Sequence, residues 1–344
     1  VALLFCDGFD HYGTDQIEHH YDNFNDSIAD WNTSSSVKRT GIQSLQVGNA
    51  DHEYMDKMLS DWYTTLVFGF AMYWTEGGGI NNHDGFHLRN GTGAQVTVKV
   101  NNDGSISVYR GTDGGTLLGS SSAGVVTSGE WQYLEAKIYC HSSAGTYEVR
   151  IDESSVVSGE SANTQNQSDN NLSLFRIKGA DSQYYVDDLY ICSDEGSYNN
   201  DFLGDQQVDT LYPTGAGTYS QMFPSGEVNN WQCVADTNWG PSHDHVASSG
   251  ELIDTYIFSG LTELVSDNIN AVQVSQMVYR PYGGVARMSG VSRFDSVDYS
   301  GEVHFVRDQF EQERTIFERT PSGEAQWTYS DVNGGEFGIK QMRG

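Results

Sequence analysis

The sequence predicts an all-β protein, a β-sandwich followed by a second, smaller, jelly-roll-like β domain. Three observations carry this expectation. Short runs of β-branched and aromatic residues recur along the 344-residue chain, and most alternate apolar with polar positions. Gly, Asn, Asp and Ser bound them, and 38 Gly against 5 Pro suits many tight turns. No long helix-period stretch interrupts them in the first half.

In order, strands are predicted at 66–74 (LVFGFAMYW), 94–101, 105–111, 131–140, 146–152, 173–179 and 183–192 (QYYVDDLYIC). In TYEVRID, Tyr147, Val149 and Ile151 share one face, and Glu148, Arg150 and Asp152 the other. NNDGS (101–105) reads as a hairpin turn with Asp103-Gly104 at the positive-φ positions. The stretch 77–93 (GGGINNHDGFHLRNGTG) reads as a Gly/Asn loop. After 193–207, which has few apolar residues and no period, strands resume at 254–261, 270–281, 284–293, 301–308 and 337–342. A Val-rich face (Val272, Val274, Val278) makes 270–281 the most adhesive stretch, and a short helical turn is expected near Ser322 and Glu324. The boundaries that follow are a sandwich at 1–197, a linker at 198–211 and a C-terminal β domain at 212–344.

Acidic side chains number 47 against 18 basic ones, a net charge of -29. Nucleic acid is therefore not an expected partner, since binding it needs clustered Lys and Arg. Cys6, Cys140, Cys192 and Cys233 lack metal-ligand spacing and are too few for a disulfide framework; Cys6 with Cys192 is the one pairing to check. The start VALLFCDGFD has no basic n-region, so no export signal is expected, nor any membrane insertion.

The opening DGFDHY (7–12), the run GEWQYLEAKIYCHSSAGTYEVRID (129–152), YYVDDLYIC (184–192) and NNDFLGDQQVDTLYP (199–213) together resemble a tailed-bacteriophage virion structural protein. That type carries an N-terminal concanavalin A-like (laminin-G-like) domain. NAVQVSQMVYR, TPSGEAQWTYSDVN and FGIK follow its C-terminal pattern, so the resemblance covers nearly the whole chain. It departs in its acidity and in the insert 22–41. The resemblance implies a component of a phage particle, on head, tail or fibre, made in the host cytoplasm. It would act by assembly with other virion proteins, as a homo-oligomer, with a sandwich free to touch a host-surface glycan. The alternatives are a carbohydrate-binding adhesin or lectin and, less favoured, a glycan-active hydrolase.

No catalytic residues are expected. Glycoside hydrolysis needs two carboxylates across one cleft, and adjacent residues of a strand, such as Asp187 and Asp188, point to opposite faces. No G-x-S-x-G elbow or phosphate-binding glycine loop is present. A structural calcium ion is the expected use of the acids. If the first and last sandwich strands are neighbours, Asp7 or Asp10 comes near Asp187 or Asp188 and offers carboxylate oxygens to such an ion. His243 and His245 are too isolated to make a metal site. For a glycan, Trp62, Tyr63, Trp74 and His87, with Tyr73, flank the Gly/Asn loop and would supply ring faces for stacking. Of Tyr73 and Trp74, one must face the core.

Overall fold

The computed structural model describes residues 1–25, 31–48, 53–75, 85–235, 244–261, 268–281 and 284–342. The chain divides into two compact units, Val1–Asp209 and Thr210–Gly344.

The first unit contains strands β1 (Leu3–Asp7), β2 (Asn23–Phe24), β3 (Trp31–Ser34), β4 (Ser44–Val47), β5 (Tyr54–Tyr63), β6 (Thr65–Trp74), β7 (Phe86–Arg89) and β8 (Ala94–Val100). β9 (Ile106–Arg110), β10 (Thr116–Ser120), β11 (Trp131–Tyr139), β12 (Gly145–Ile151), β13 (Ser154–Ala162), β14 (Leu172–Lys178) and β15 (Tyr184–Ser193) complete it. They form two antiparallel sheets. One has eight strands in the order β13-β12-β11-β6-β15-β4-β3, with β1 also on β15; the other has seven, β10-β9-β8-β7-β14-β5-β2.

Period-two alternation explains how the sheets face each other. Alternate residues of β6, Phe68, Phe70, Met72 and Trp74, point inward and are fully or almost fully buried. Phe68 meets Phe175 of β14 at 4.8 Å between ring centroids, and Phe70 meets Phe86 of β7 at 4.6 Å. Each such ring contributes roughly 2 kcal/mol by leaving water. The outer side of β6 is covered too: a Cβ on Gly69 would lie 2.3 Å from the Tyr190 ring, so only glycine fits there.

All ten residues of β15 are buried. Its register against β6 shifts between Asp187 and Tyr190, and Asp188 at φ 54° marks that bulge. The ribbon that follows is not a free linker. Residues up to 209 belong to the first unit, and backbone N–H groups of Leu203, Gly204 and Val208 bond to Tyr190, Glu135 and Asp188 of the sandwich. The stretch 77–93 is also more than a loop, since β7 runs through it; residues 76–84 lie outside the description. In the 101–105 hairpin only Gly104 takes positive φ, while Asp103 accepts the N–H and hydroxyl of Ser105. None of the four cysteines is in a disulfide, so Cys6 and Cys192 are not bridged.

The second unit adds β16 (Pro213–Ser220), β17 (Phe223–Ser225), β18 (His245–Ala247), β19 (Ile253–Phe258), β20 (Val272–Val278) and β21 (Ala286–Phe294). β22 (Val297–Ser300), β23 (His304–Val306), β24 (Glu311–Phe317) and β25 (Glu336–Met342) follow. Six form one sheet, β16-β19-β25-β21-β22 with β23 on β21; β17-β18 and β20-β24 are two-stranded ribbons. The expected adhesive face is interior: Val272 and Val274 pack on the core of Trp327, Val332 and Phe337. The helix starts later than Ser322. It is α1 (Tyr329–Gly334), begun by a reciprocal capping box between Thr328 and Asp331. Among the described residues no helix is long and apolar enough to cross a membrane.

Candidate functional site

β1 pairs with β15, and this gathers the four acids singled out in the sequence. Asp7, Asp10, Asp187 and Asp188 are all at most 3% exposed. The bulge changes the geometry expected of adjacent strand residues. With Asp188 in the left-handed region, both neighbouring carboxylates reach the segment 39–40 instead of opposite faces. That segment lies in the insert.

Donors from the chain meet these oxygens. Asp7 Oδ1 accepts Phe9 N at 2.8 Å, and Oδ2 accepts the hydroxyls of Tyr12 and Tyr21 at 2.9 and 3.1 Å. Asp10 Oδ1 accepts Ile42 N and Gln43 N at 2.7 and 2.9 Å. Asp187 Oδ1 accepts Asp188 N, and its Oδ2 accepts Arg39 N at 2.9 Å and Thr40 N at 3.3 Å. Asp188 Oδ1 takes Thr40 Oγ1 and Val208 N, and its Oδ2 takes Arg39 Nη1 at 2.9 Å. The same guanidinium donates to Gln206 O at 2.8 Å and pairs with Asp205. A Cβ on Gly41, at φ +58°, would lie 1.9 Å from Asp10 Oδ2, so glycine is needed beside that carboxyl.

This donor set does not fit calcium. The ion takes roughly six to eight oxygens directly, and an N–H aimed at a carboxylate oxygen occupies the lone pair the ion would use. Arg39 is the cation of the cluster, and protons share the work. Burial pushes the Asp10 carboxyl up to about 6, and burial with the neighbouring Asp188 pushes Asp187 up to about 8. The acids act as a clasp that fastens the insert and the ribbon to the sandwich.

The glycan-platform residues do not come together. Trp74 is fully buried, stacked on Tyr184 at 4.6 Å. Tyr63 and His87 are 8% and 4% exposed, and only Trp62, at 71%, shows its ring to solvent. The cause is alternation: on β6 the inward positions include Trp74, leaving Tyr73 outside beside Trp131 and Tyr185. His87 belongs to the other sheet. His243 lies outside the described residues, so the pair with His245 is not placed.

A different constellation occupies the outer face of the seven-stranded sheet. Strand register aligns Asp56 of β5, Arg176 of β14, His87 of β7, Thr97 of β8 and Tyr109 of β9 in one row. Strands lie about 4.8 Å apart, so five of them carry the row across roughly 20 Å. Their sequence neighbours Met55, Phe175, Leu88, Val96 and Val108 fill the core, which aims the polar side chains outward. His87 and Thr97 form a buried floor; Arg176 and Tyr109 are half-buried. Arg176 pairs with Asp56 through two bonds of 2.6 and 2.7 Å and lies 3.2 Å over the Tyr54 ring. Arg89, two residues beyond His87, stands beside Leu174, and Lys178 stands opposite Tyr54.

Two loops wall one side. Gly111 O accepts Thr97 Oγ1 at 2.6 Å, and Asp113 pairs with Lys99 at 2.9 Å. Farther along, Gln95 Oε1 accepts the backbone N–H groups of Asn166 and Gln167. Burial and the adjacent Arg176 both hold the Arg89 guanidinium below its ordinary pKa. A row of guanidinium, carboxylate, imidazole, hydroxyl and phenol on a rigid sheet can bind a polar, extended ligand by many directional hydrogen bonds. The signal for it was in the alternation of FHLR, QVTVK and LFRIK, in which polar side chains (His87 and Arg89; Gln95, Thr97 and Lys99; Arg176 and Lys178) are separated by apolar ones. Which strands lie side by side is not written in that pattern.

No family model matches the chain, and no curated protein is similar to it in sequence. Solved structures similar to it include the cellulose-induced protein Cip1, at 12% identity over 55% of this chain and 91% of that one, with a TM-score of 0.36. The alginate lyase Aly36B is 11% identical over 55% of this chain and 94% of its own, with a TM-score of 0.37. The catalytic domain of a glycoside hydrolase family 131 protein from Coprinopsis cinerea is 12% identical over 60% and 99%, also at 0.37.

Proposed function

We propose that the sandwich is a saccharide-recognition module and that it binds through the outer face of its seven-stranded sheet. The row Asp56, Arg176, His87, Thr97 and Tyr109 carries this reading. Saccharides present hydroxyls that both donate and accept, with apolar ring faces between them. The row offers both kinds of partner at strand spacing, and the half-buried phenol of Tyr109 closes it. Recognition proceeds without turnover, because the one carboxylate in the row, Asp56, is committed to Arg176.

Screening the protein on a glycan array, then titrating the best oligosaccharide, tests the proposal. Tyr109→Ala is expected to weaken binding about tenfold, the size of one lost stacking or hydrogen-bonding group. Trp62→Ala, on an isolated exposed ring, is expected to change nothing. Equal loss in both variants, or retention of no saccharide at all, refutes the assignment.

A second reading, a subunit of a phage particle, rests on the resemblance of the connector NNDFLGDQQVDTLYP, most of which the sandwich grips. The two are compatible if the particle displays the module toward host glycans. The particle reading requires self-association or a virion partner, so a stable oligomer by light scattering favours it, and co-sedimentation with particles tests it where the purified chain is a monomer.

A further inference from the structure

We infer that the ligand of this face is an acidic saccharide, and that Arg89 seats one of its carboxylates. The inference rests on the saccharide reading and narrows it to a chemical class.

The sandwich unit holds five arginines, Arg39, Arg89, Arg110, Arg150 and Arg176. Arg39 pairs with Asp188 and Asp205, Arg150 with Glu148, and Arg176 with Asp56. Arg110 donates to Thr116 Oγ1 at 2.9 Å. Of the five, Arg89 alone makes neither an ion pair nor a hydrogen bond with its guanidinium among the described residues, in a chain where acids outnumber bases 47 to 18. It is half-buried, and its strand neighbour across the ladder is Leu174, itself flanked by Met58. Burial and Arg176 outweigh the more distant favourable pull of Asp56 and Tyr54 on this guanidinium, and a guanidinium so placed on an apolar shelf is costly unless an anion arrives.

The chemistry of that anion follows from the fork. A guanidinium binds carboxylate through two parallel N–H···O bonds, the geometry Arg176 already shows with Asp56. Arg176 is spent on that pair, so the open fork is Arg89. The net charge of the chain does not oppose an acidic ligand here. Beyond a Debye length of about 8 Å other charges are screened, and Arg176 and Lys178 stand on the adjacent strand of the same face.

Three probes test the proposal by titration: an oligouronate, the same oligosaccharide with its carboxyl groups reduced to alcohols, and a neutral-backbone oligosaccharide carrying sulfate esters. The oligouronate is expected to bind, and carboxyl reduction to weaken binding about 10- to 100-fold, the range for a charge-assisted bond. Arg89→Gln should impose the same loss on the oligouronate and none on the reduced form. Arg89→Lys, which keeps the charge and loses the fork, should recover only part. Melting of Arg89→Gln at or above the parent temperature confirms that it folds, because the substitution removes an unpaired charge.

If the reduced form binds as tightly as the oligouronate and Tyr109→Ala still weakens both about tenfold, the saccharide site stands and the acidic ligand is wrong. If neither binds, both fall. Tighter, Arg89-dependent binding of the sulfated probe overturns the carboxylate assignment.

Discussion

On the outer face of the eight-stranded sheet the chain meets its own buried charges, whereas on the outer face of the seven-stranded sheet it leaves one unmet. Around Asp187 and Asp188, backbone amides, the Thr40 hydroxyl and the Arg39 guanidinium satisfy carboxylates that see no solvent. Around Arg89 no side-chain hydrogen bond or ion pair is made among the described residues, and only Asp56 and Tyr54 act on its charge favourably, from a distance. Both regions are polar, strand-borne and rich in charge, and from sequence the acidic one is the more conspicuous. The difference teaches that concentration of charge is a poor guide to a binding site. The better guide is whether the fold has already answered it.

Breaking the closed side gives the largest expected effect. Arg39→Ala removes the one cation paired with Asp188 among the described residues and strands a buried carboxylate, with an expected loss of about 3 kcal/mol by denaturant titration. A loss below about 0.5 kcal/mol would mean that the clasp contributes no more than an exposed pair.

The next effect is in pH. Asp10 and Asp187 have folded pKa values raised to about 6 and about 8, above those of an unfolded aspartate. The folded state therefore binds more protons than the unfolded chain across that window. The stability these groups contribute is full below the unfolded pKa, near 4, and is lost as pH rises through about 6 and then about 8. Stability, and with it the melting temperature, is expected to fall from pH 5 to pH 8, by up to about 1.4 kcal/mol per pH unit for one proton. Asp187→Asn should flatten the upper part of that slope. A melting temperature that climbs steadily over the same range contradicts the assignment.

The smallest effect sharpens the comparison by its near absence. Because N–H and O–H donors occupy the clasp oxygens, a chelator is expected to move the melting temperature by less than about 1 °C, with added calcium no more effective. A drop of several degrees that calcium reverses would return the ion to Asp7, Asp10, Asp187 or Asp188.

Much of the fold was legible because alternation in runs such as TYEVRID reports directly on a two-sided sheet. The meeting of Asp7 and Asp10 with Asp187 and Asp188 was legible too, from the habit of terminal strands to pair. Three things were not. The bulge at Asp188 is a backbone event, and the pattern VDDLY does not distinguish it from a regular strand. The insert 22–41 looked like a departure from a family pattern, yet it carries Arg39 and Thr40, the partners of the acid pair. The row on the seven-stranded sheet depends on the order β9-β8-β7-β14-β5, which brings residues 56 and 176 into register across the length of the domain. Reading the aromatics as a platform failed because a ring on a strand is buried or displayed by parity, and parity in 62–74 assigned Tyr63 and Trp74 inward.

The pairing of β1 with β15 also sets a timetable for synthesis. β1 leaves the ribosome before its partner, which is translated about 180 residues later, roughly 10 to 40 s at ordinary elongation rates. Through that interval Leu3 and Phe5 have no strand beside them, and β6, the eventual centre of its sheet, lacks its β15 neighbour. The eight-stranded sheet must therefore close late, by a contact of high sequence separation. The ribbon that follows β15 supplies Val208 to Asp188 and Gly204 to Glu135 within the next 20 residues, so the step that completes the sheet is followed almost at once by its latch.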